Sequence, residues 1–592
     1  MFFMNNSPIT LKTIFKLILE KKPILIYGQI ITLLAILVSV PIPMMLPIMV
    51  DEILLNKPAQ FVDSINYLIG ETTAFYYIAI VTLVVIFLRL IYYFLGVIIT
   101  RVFTKISKYV TFMIRKRLIE HLKITSMNEY ETLGSGAITA NLVTDVNTLD
   151  GFIITSISKF VSSVLTLVAV GVVMILINPV LGVMILVIQP LIMLLSKKMS
   201  KIVGGLKKDE NQAISKFQDN IGETLDLYGQ IKASNKENYF FSRATDYAND
   251  VKKTSNEYGY KSVAYEKLSY TIFLAMFEIL RASGLILVVY SDLTIGMMFA
   301  MFGYIWFIMT PVQDILSMQY SYSSAMGALD RINKILLLKT EDSGDEVLES
   351  KNVDISIKDL NFSYSNDKPI LKNISLDIKA GSKVALIGAS GSGKTTLAQL
   401  ISGFYEKQSG VQKYNGIEIE NLNKNSLRQE IFLVLQMPIL FNSTLRFNIT
   451  MGDDSITDEA IYEALRISQL IEMVDGMDDG LDSVVGKHGV RLSGGQRQRL
   501  SIARMIIANP SIVIFDESTS ALDVHTELKL NVALKDILEN KTVITIAHRL
   551  STVKNVDMIY VLDSAEIVQR GTHNELEFEE GHYMEFIKRQ LI

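Results

Sequence analysis

A glycine-rich loop in the second half of the chain has the residue types and spacing to bind the phosphates of a nucleotide. It reads GASGSGKTT from Gly388 to Thr396, follows the apolar stretch SKVALIG and precedes the helical stretch LAQLISGF. Glycines let backbone N–H groups wrap phosphate oxygens, Lys394 can reach the outer phosphates, and Thr395 can bind Mg²⁺. The candidate nucleotide-binding residues of this loop are Gly388, Ser390, Gly391, Ser392, Gly393, Lys394, Thr395 and Thr396.

Two carboxylates end a second apolar stretch, SIVIFDES from Ser511. Asp516, at the end of the predicted strand, can help to hold Mg²⁺, and Glu517 can polarise an attacking water. A third apolar stretch, KTVITIA from Lys541, brings His548 to the same edge of the sheet, where α/β folds bind their ligands. Together with the phosphate loop, these residues predict a site that hydrolyses a nucleotide.

A second glycine-containing segment, VRLSGGQRQRL from Val490, opens a predicted basic helix. The first N–H groups of a helix are available to an anion, so Ser493, Gly494, Gly495 and Gln496 are also candidates for phosphate contacts. This segment lacks the lysine of the first loop. It is therefore equipped to contact a nucleotide but not to hold one alone.

The elements that must position these residues belong to two regions, the first suited to lipid and the second to water. Long apolar runs dominate up to about residue 330 of a 592-residue chain with 49% hydrophobic residues and a mean hydropathy of +0.32. Beyond Ser350, short apolar runs alternate with polar helical stretches, which is typical of an α/β domain. We predict a membrane α-helical bundle followed by an α/β P-loop ATPase domain, with a transmembrane domain at 1–335, a linker at 336–353 and the ATPase domain at 354–592.

Six stretches are long and apolar enough to cross the roughly 30 Å hydrocarbon core of a bilayer. Basic residues cluster after the second stretch, from Arg101 to Lys123, whereas the loop before it carries only Lys57. The positive-inside rule therefore places both termini and the long connections in the cytoplasm. The predicted spans lie near 24–50, 73–100, 152–177, 180–197, 266–290 and 294–318.

Charged residues and prolines stand out within these spans. Arg89 lies in the middle of the second span, and Glu278 and Arg281 lie three residues apart on one face of the fifth. Because charges are costly in a membrane, we interpret the pair either as a structural salt bridge or as part of a polar cavity wall. The prolines between residues 41 and 47 are expected to kink or unwind the outer end of the first span.

Composition excludes several kinds of site. The chain has no cysteine, so it contains neither disulfides nor cysteine-based metal sites. From residue 351 onward it carries 26 Lys and Arg against 32 Asp and Glu, a net charge of −6. Nucleic-acid-binding domains usually have a basic surface, so this acidic region argues against a nucleic-acid partner.

Taken together, these motifs resemble the nucleotide-binding domain of an ABC transporter, and nearly the whole chain resembles an ABC exporter half-transporter. LSGGQ at Leu492–Gln496 matches the signature sequence of that family. The resemblance implies ATP and Mg²⁺ as cofactors, with Thr395, Gln436 and Asp516 as Mg²⁺ ligands.

The resemblance also implies a role for individual side chains around the nucleotide. Tyr364 matches the aromatic residue that stacks on adenine, and Gln436 matches the residue that senses Mg²⁺ and the attacking water. Glu517 matches the catalytic base, and His548 matches the histidine that contacts the γ-phosphate. SALD at Ser520–Asp523 matches the D-loop.

The second glycine segment has a role in such a family. Two ATPase domains close head to tail, and the signature loop of one covers the ATP held by the phosphate loop of the other. Ser493 and Gly495 would then touch the γ-phosphate bound to the partner. The expected partner is a second half-transporter, and a homodimer is favoured because Glu517, the signature sequence and His548 are all present.

By the same resemblance, coupling helices are expected near Tyr130–Asn141 and Gly222–Ile231. Two positions depart from the family pattern. Lys487 and His488 stand where the family often has Glu-Arg before the signature sequence, and Met437 replaces an acidic residue after Gln436. Neither departure touches the chemistry of hydrolysis.

We expect an ATP-driven exporter or flippase for an amphipathic or lipid-like substrate, in a bacterial inner membrane with its ATPase domain in the cytoplasm. Membrane lipid and a hydrophobic or amphipathic substrate are its expected partners, and nucleic acid is not. Two alternatives remain: a membrane-anchored ATPase that acts on a partner protein, and an importer with the exporter architecture. The residues do not distinguish among lipids, lipid-linked sugars, drugs and peptides as substrates.

Overall fold

The structure is a computed structural model of the 592-residue chain. It describes residues 7–57, 60–348, 352–364, 369–486, 489–516, 522–547 and 549–591. The chain forms two compact units. The N-terminal unit contains the residues up to Ile119 and those from Ile138 to Leu337, and the C-terminal unit contains Glu120–Ala137 and the residues from Leu338 onward.

Helices make up the regular structure of the first 337 residues. A 3₁₀ turn at Ile42–Met44 and π-helical turns at Ile48–Leu54, Asn141–Asp145 and Thr155–Phe160 interrupt the α-helices. The α-helices are α1 (Leu11–Leu19), α2 (Lys22–Ser39), α3 (Met45–Pro47), α4 (Gln60–Ile69), α5 (Ala74–Leu122), α6 (Met127–Leu133), α7 (Ser135–Ala140), α8 (Val146–Ile154), α9 (Val161–Ile177), α10 (Pro179–Asp226), α11 (Tyr228–Ala233), α12 (Glu237–Tyr290) and α13 (Ile295–Leu336).

Within the described residues, five helical segments are long and apolar enough to cross a membrane, and they coincide with five of the predicted spans. The remaining predicted span, near 180–197, falls on α10, of which Pro179–Ile188 is a shorter apolar stretch. The number six therefore stays a prediction. The five segments are Lys22–Leu54, Ala74–Leu122, Ser135–Ile177, Glu237–Tyr290 and Ile295–Ile315.

The first span loses its regular α-helix at its prolines, as predicted. Helix α2 ends at Ser39, and the 3₁₀ turn at Ile42–Met44 and the π-helical turn at Ile48–Leu54 follow it. Proline has no N–H to donate to the preceding turn. The fully buried Tyr304 instead donates its hydroxyl to the Val40 carbonyl oxygen, at 2.6 Å. The unwound end is therefore tied to α13.

A buried carboxylate makes a second contact between the same two segments. Asp51, in the π-helical turn, accepts the Gly296 N–H at 3.0 Å and the Thr294 hydroxyl. Thr294 in turn caps α13 by accepting the Met297 N–H at 3.1 Å. A negative charge at the N-terminus of a helix is favourable because the helix dipole is positive there.

Charged pairs also occur within the N-terminal unit. Glu278 and Arg281 form the predicted salt bridge, with 2.5 Å between Oε2 and Nη2, and each side chain is about half exposed. Arg89 is exposed on α5. Arg331 of α13 donates to the buried carboxylate of Asp145 through both Nε, at 3.0 Å, and Nη2, at 2.6 Å. Such a two-point contact fixes orientation as well as distance.

The C-terminal unit combines strands and helices. Its strands are β1 (Ile355–Phe362), β2 (Leu371–Ile378), β3 (Lys383–Gly388), β4 (Ser409–Tyr414), β5 (Ile417–Glu418), β6 (Ile431–Val434), β7 (Ser443–Thr444), β8 (Val484–Val485), β9 (Ile512–Asp516), β10 (Thr542–Ile546), β11 (Met558–Asp563) and β12 (Glu566–Gly571). Besides α6, its helices are α14 (Lys394–Ile401), α15 (Lys424–Glu430), α16 (Leu445–Thr450), α17 (Asp458–Ile467), α18 (Ile471–Asp475), α19 (Gly494–Ala508), α20 (Val524–Leu538), α21 (Leu550–Val553), α22 (His573–Leu576) and α23 (His582–Leu591), with a 3₁₀ turn at Gly480–Asp482.

The three strands predicted around the site are neighbours in one sheet, whose order is β12-β11-β3-β10-β9-β6. All its pairs are parallel except that of β12 with β11. Parallel strands bring their carboxyl ends to a common edge, and Ile546 of β10 is in register with both Leu386 of β3 and Asp516 of β9. The predicted α/β arrangement is therefore confirmed.

A smaller antiparallel sheet, β2-β1-β4-β5, shares a hydrophobic core with the parallel sheet and α14. The core is formed by buried aliphatic side chains of all three elements, including Leu360, Leu386, Leu397, Ile514 and Ile544. Because side chains of α14 share this core with both sheets, the core fixes the helix that follows the phosphate loop.

Candidate nucleotide site

The phosphate loop begins where β3 ends and needs glycine at both of its ends. Gly388 has φ of 151°, and a Cβ there would clash with the Leu562 carbonyl oxygen on neighbouring β11. Gly393 has φ of 99°, and a Cβ there would lie 2.7 Å from Cδ2 of Leu371. Only glycine adopts such conformations without strain, so these residues allow the chain to turn sharply from β3 into α14.

Lys394 holds a positive charge over this loop. Its side chain is buried at the first position of α14, and its Nζ donates to the carbonyl oxygens of Gly388 at 3.0 Å and Ala389 at 2.9 Å. The helix N-terminus adds a partial positive charge at the same place. The loop is therefore electropositive where a phosphate would lie.

Two further observations fit a phosphate. The hydroxyl of Ser392 is buried and has no hydrogen-bond partner among the described residues, which is costly unless a ligand supplies one. Gly391, with φ of 80°, has no atom within 4 Å of where a Cβ would lie. The loop thus contains a buried hydroxyl without a described partner and, one residue earlier, a glycine that faces open space.

Two side-chain oxygens of the kind that Mg²⁺ prefers also lie close together. The Thr395 hydroxyl lies 3.4 Å from Oδ1 of Asp516, which is buried at the end of β9. Mg²⁺ prefers such hard oxygen ligands and usually completes its shell with water and phosphate oxygens, so these two side chains fit the ion. Gln436 follows β6, the strand next to β9. Its carbonyl oxygen accepts a hydrogen bond from Nε2 of Gln498 at 3.0 Å.

Tyr364 lies beside the same loop, where an adenine ring is expected. Its hydroxyl is 3.0 Å from Oγ1 of Thr396 and 3.2 Å from Oε1 of Gln399. Its ring packs edge-on against Phe362, with centroids 5.0 Å apart, and against Tyr405, at 5.2 Å. The ring is therefore held at its edge and at its hydroxyl.

Sequence reasoning missed Gln399 and Tyr405. Gln399 lies on α14, three residues after Thr396, which places both side chains on one helical face. Spacing could therefore have suggested Gln399. Tyr405 lies beyond the end of α14, and no local pattern indicates its contact with Tyr364.

The signature segment begins a different helix. Ser493 caps α19, and its Oγ accepts the Gln496 N–H at 3.2 Å while the Gln496 side chain accepts the Ser493 N–H at 2.8 Å. This reciprocal capping fixes Gly494 and Gly495 as the first helical residues. The predicted glycine pair at a helix N-terminus is confirmed, and its role at a nucleotide stays a prediction.

Part of the D-loop is described. Asp523 caps α20 and accepts the backbone N–H groups of Thr526 at 2.9 Å and His525 at 3.1 Å. These hydrogen bonds, led by that of Thr526, hold the pKa of the Asp523 carboxyl below its ordinary value. Asp523 is therefore an ionised cap at neutral pH.

Several predicted residues lie outside the described part of the chain: Glu517, His548, Lys487, His488 and Ser520. The residues before two of them are described. Asp516 ends β9, and Ala547 directly follows β10, the strand next to it. The catalytic roles of Glu517 and His548 stay predictions.

Two family models match this chain. The model described as ABC transporter matches residues 371–520, and the model described as ABC transporter transmembrane region matches residues 25–312. The first region contains the phosphate loop and the signature segment. The second contains most of the apolar helices.

Three similar proteins are each named ATP-dependent lipid A-core flippase. That of Photobacterium profundum is 38% identical over 303 residues, which span 51% of this chain and only 52% of that protein. That of Escherichia coli strain K12 is 35% identical over 385 residues, 63% of this chain and 66% of that protein. That of Pasteurella multocida is 29% identical over 518 residues, 85% of this chain and 87% of that protein.

A solved structure of a bacterial Atm1-family ABC exporter with ATP bound has the same fold. It aligns with a TM-score of 0.80 over 96% of this chain and 100% of that chain, at 22% sequence identity. The two family models cover both regions in which the apolar helices and the phosphate loop lie. The chain therefore belongs to the ABC transporter family and carries the transmembrane region and the nucleotide-binding domain in one polypeptide.

Proposed function

We propose that this ABC transporter is an ATP-driven exporter or flippase that moves an amphipathic, lipid-like substrate across a bacterial inner membrane. The observation that carries the proposal is a phosphate loop whose buried Ser392 hydroxyl has no partner among the residues that the structure describes, on a chain that also has membrane-length helices. The names of the similar proteins support a lipid-like substrate.

The nucleotide site divides its tasks among a few side chains. The ring of Tyr364 supports the adenine, while Lys394 and the N-terminus of α14 offset the phosphate charge. Thr395, Asp516 and Gln436 would hold Mg²⁺, which neutralises charge on the outer phosphates when it is bound.

Glu517 and His548 complete the site at the carboxyl ends of β9 and β10. Glu517 orients and polarises the attacking water as general base, and His548 contacts the γ-phosphate. Asp516, directly before Glu517, is buried, which helps to fix the start of that segment.

The working unit is a homodimer of this chain. The first N–H groups of α19, at Gly494 and Gly495, have no partners within their own helix and suit an anion. In the dimer they cover the phosphates of a nucleotide held by the phosphate loop of the partner. Each chain then supplies one half of each of two equivalent sites.

Transport requires that each ligand distinguish between two states of the dimer. ATP must bind more tightly to the closed state than to the open state, and the substrate must bind unequally to the inward- and outward-facing cavities. Hydrolysis then removes the ligand that favours closure. The exposed ion pair of Glu278 and Arg281 offers polar contacts for a substrate headgroup.

The test uses sealed vesicles of phosphatidylethanolamine and phosphatidylglycerol that contain the purified chain and a headgroup-labelled fluorescent phospholipid. A membrane-impermeant quencher reports the fraction of label in the outer leaflet. External ATP reaches only molecules whose ATPase domains face outward, so an exporter moves the label to the inner leaflet. We expect this movement with the wild type and not with Glu517→Gln.

Two outcomes would contradict the proposal. Movement of the label to the outer leaflet would identify an importer. Strong ATP hydrolysis with no movement of label, relative to vesicles without protein, would favour a membrane-anchored ATPase that acts on a partner protein.

A further inference from the structure

A buried tyrosine in the C-terminal unit, Tyr405, contacts both the ring of Tyr364 and the short helix α6. Tyr405 is 6% exposed, and its ring packs edge-on against Tyr364 with centroids 5.2 Å apart. Its hydroxyl donates to Oε2 of Glu131 on α6, at 2.8 Å. Because α6 belongs to this unit, the three side chains form one continuous path within it.

The path continues to the phosphate loop at its other end. The Tyr364 hydroxyl is 3.0 Å from Oγ1 of Thr396, which is buried in the first turn of α14. Glu131, Tyr405, Tyr364 and Thr396 therefore connect α6 with the helix that begins at the phosphate-binding lysine. The two outer links are hydrogen bonds, and the middle one is a ring contact.

The chain directly before α6 is attached to the segment that follows α13. The Ser126 N–H donates to the Lys339 carbonyl oxygen at 2.9 Å, and the Glu341 N–H donates to the Ile124 carbonyl oxygen at 2.8 Å. These bonds pair the segment before α6 with the segment after α13 as a short antiparallel bridge. The start of α6 is therefore held by backbone hydrogen bonds, and the contact of Glu131 with Tyr405 holds the helix one turn further on.

The same bridge is anchored close to Tyr405. Glu341 accepts Nη1 and Nη2 of Arg428 at 3.0 and 2.7 Å, and Nη2 of Arg428 also donates to the Gly403 carbonyl oxygen at 3.0 Å. Gly403 lies two residues before Tyr405. The backbone next to Tyr405 is thus linked through Arg428 to the bridge that precedes α6.

The hydrogen bond to Glu131 joins a buried hydroxyl to a carboxyl oxygen. Burial, together with the contact with Glu131, raises the pKa of the Tyr405 hydroxyl well above its ordinary value. The hydroxyl therefore remains protonated, and available as a donor, at physiological pH.

We propose that Tyr405 is a positioning residue that couples nucleotide binding at Tyr364 to the orientation of α6 through Glu131. This inference rests on the proposed function, because it takes Tyr364 as the adenine platform. Adenine stacked on Tyr364 restricts that ring, the ring fixes Tyr405, and the hydroxyl of Tyr405 fixes Glu131. Coupling between two sites is reciprocal, so a correctly placed α6 must also strengthen nucleotide binding.

The test uses the full-length chain in lipid nanodiscs, where two properties are measured together. Because the chain has no cysteine, Asn128→Cys introduces a single site for an environment-sensitive fluorophore on the exposed face of α6. One readout is the fluorescence change of this label on adding Mg²⁺ with the non-hydrolysable analogue adenosine 5′-(β,γ-imido)triphosphate. The other is the affinity for that analogue.

Two variants interrupt the path and two serve as controls. Tyr405→Phe removes the hydroxyl and keeps the ring, and Glu131→Leu removes the acceptor. Glu131→Gln keeps an acceptor oxygen, so its affinity for the analogue and its fluorescence change should be close to those of the wild type. Tyr462→Phe removes a hydroxyl from a partly exposed ring on α17 and should behave as the wild type.

We expect Tyr405→Phe and Glu131→Leu each to weaken binding of the analogue by about threefold to tenfold, the usual effect of one hydrogen bond, and to reduce the fluorescence change on α6. The double variant should lose no more than either single variant, since both remove the same bond. Unfolding temperatures identify any variant that is merely misfolded, and Glu131→Gln then tests the bond in a folded protein.

The inference is overturned if Tyr405→Phe matches Tyr462→Phe in both readouts, or if the effects of the two single variants add in the double variant. Failure of the proposed function has a different signature. A folded wild type that does not bind the analogue would overturn both the proposed function and this inference. A wild type that binds and hydrolyses ATP while Tyr405→Phe has no effect would overturn this inference alone.

Discussion

Ser392 and Lys394 prepare the phosphate loop for an anion before any nucleotide binds. The Ser392 hydroxyl is buried without a partner in the described part of the chain, and burying a polar group in this way costs free energy. The Lys394 ammonium donates to two carbonyl oxygens of the loop. A phosphate would offer an acceptor to the Ser392 hydroxyl and a negative charge to Lys394.

This reasoning predicts that Ser392→Ala has opposite effects with and without nucleotide. Without nucleotide, the variant should raise the free energy of unfolding by about 1 kcal/mol, because an unsatisfied buried hydroxyl is removed. With MgATP, its affinity should fall by about threefold to tenfold, because one hydrogen bond to phosphate is lost. Thermal unfolding and nucleotide titration of the same samples measure both effects.

Ser390→Ala is the matched control, because Ser390 lies in the same loop but is exposed. Its unfolding temperature without nucleotide should equal that of the wild type. A fall in the stability of nucleotide-free Ser392→Ala would contradict the account.

Residue motifs allowed the backbone course of the phosphate loop to be predicted. The GASGSGKTT pattern indicated the turn between β3 and α14, because the glycine positions, the lysine and the hydroxyl are local in sequence. Tyr405 could not be predicted in this way. Its partner Glu131 is 274 residues away, and only the fold brings the two side chains together.

At the scale of elements, the contact between the first span and α13 depends on the absence of a side chain at Gly296. A Cβ there would lie 2.5 Å from Oδ2 of Asp51 and 2.6 Å from Cα of Pro47. The Cα atom of Pro47 belongs to the backbone and cannot move without disturbing the π-helical turn that begins at the next residue. The close approach therefore requires glycine.

We predict that Gly296→Ala destabilises the N-terminal unit by about 1–3 kcal/mol, the usual cost of overpacking. Gly96→Ala is the control, since no atom lies within 4 Å of a Cβ on that part of α5. Alanine favours a helix over glycine, so the control should be neutral or slightly more stable. Thermal unfolding in detergent compares the two, and equal unfolding temperatures would contradict the prediction.

Buried tyrosines set an alkaline limit for the C-terminal unit. Burial raises the pKa of Tyr405, Tyr414 and Tyr560, and it raises the pKa of Tyr583 to about 12. An unfolded tyrosine has a pKa of about 10, so above that pH the unfolded state loses protons that the native state keeps. Stability from these groups is therefore complete below pH of about 10 and is lost as the pH rises towards 12.

Burial lowers the pKa of the Lys424 ammonium and of the Arg499 and Arg504 guanidinium groups, which acts in the opposite direction, so the test compares the wild type with a variant that lacks one tyrosine hydroxyl. Tyr583→Phe should therefore show a smaller loss of stability between pH 10 and 12 than the wild type. Unfolding temperatures recorded across this range test the expectation, with Tyr462→Phe as control. Identical slopes for Tyr583→Phe and the wild type would contradict it.

The elements themselves were partly predictable. Prolines after Val40 indicated that the first span unwinds, because proline removes a backbone donor whatever its surroundings. The hydrogen bonds that stabilise the unwound segment could not be predicted. Asp51 and Thr294 are 243 residues apart, and nothing in the local pattern of either marks them as partners.

At the scale of the whole molecule, two anion-facing loops in one chain have a simple explanation if two chains share two sites. The phosphate loop supplies a lysine and a hydroxyl, and the start of α19 supplies only N–H groups. The order of motifs predicted this division of roles. The membrane substrate could not be predicted, because apolar spans look alike whichever lipid they face.

Shared sites predict how mixed dimers behave. If both sites are needed for turnover, a dimer with one Glu517→Gln chain is inactive, so equal coexpression of wild type and variant should leave about one quarter of the activity. Independent chains would leave about one half. The ATPase activity of coexpressed, separately tagged chains distinguishes the two, with Tyr462→Phe as the neutral coexpressed control.

The central claim is that this single chain forms a complete ATP-hydrolysing transporter. The most direct test is the Mg²⁺-dependent ATPase activity of the purified chain in lipid nanodiscs, beside its Glu517→Gln variant. We predict strong activity for the wild type and almost none for the variant, which should still bind ATP and remain dimeric. Normal turnover in Glu517→Gln, or a folded wild type without activity, would contradict the account.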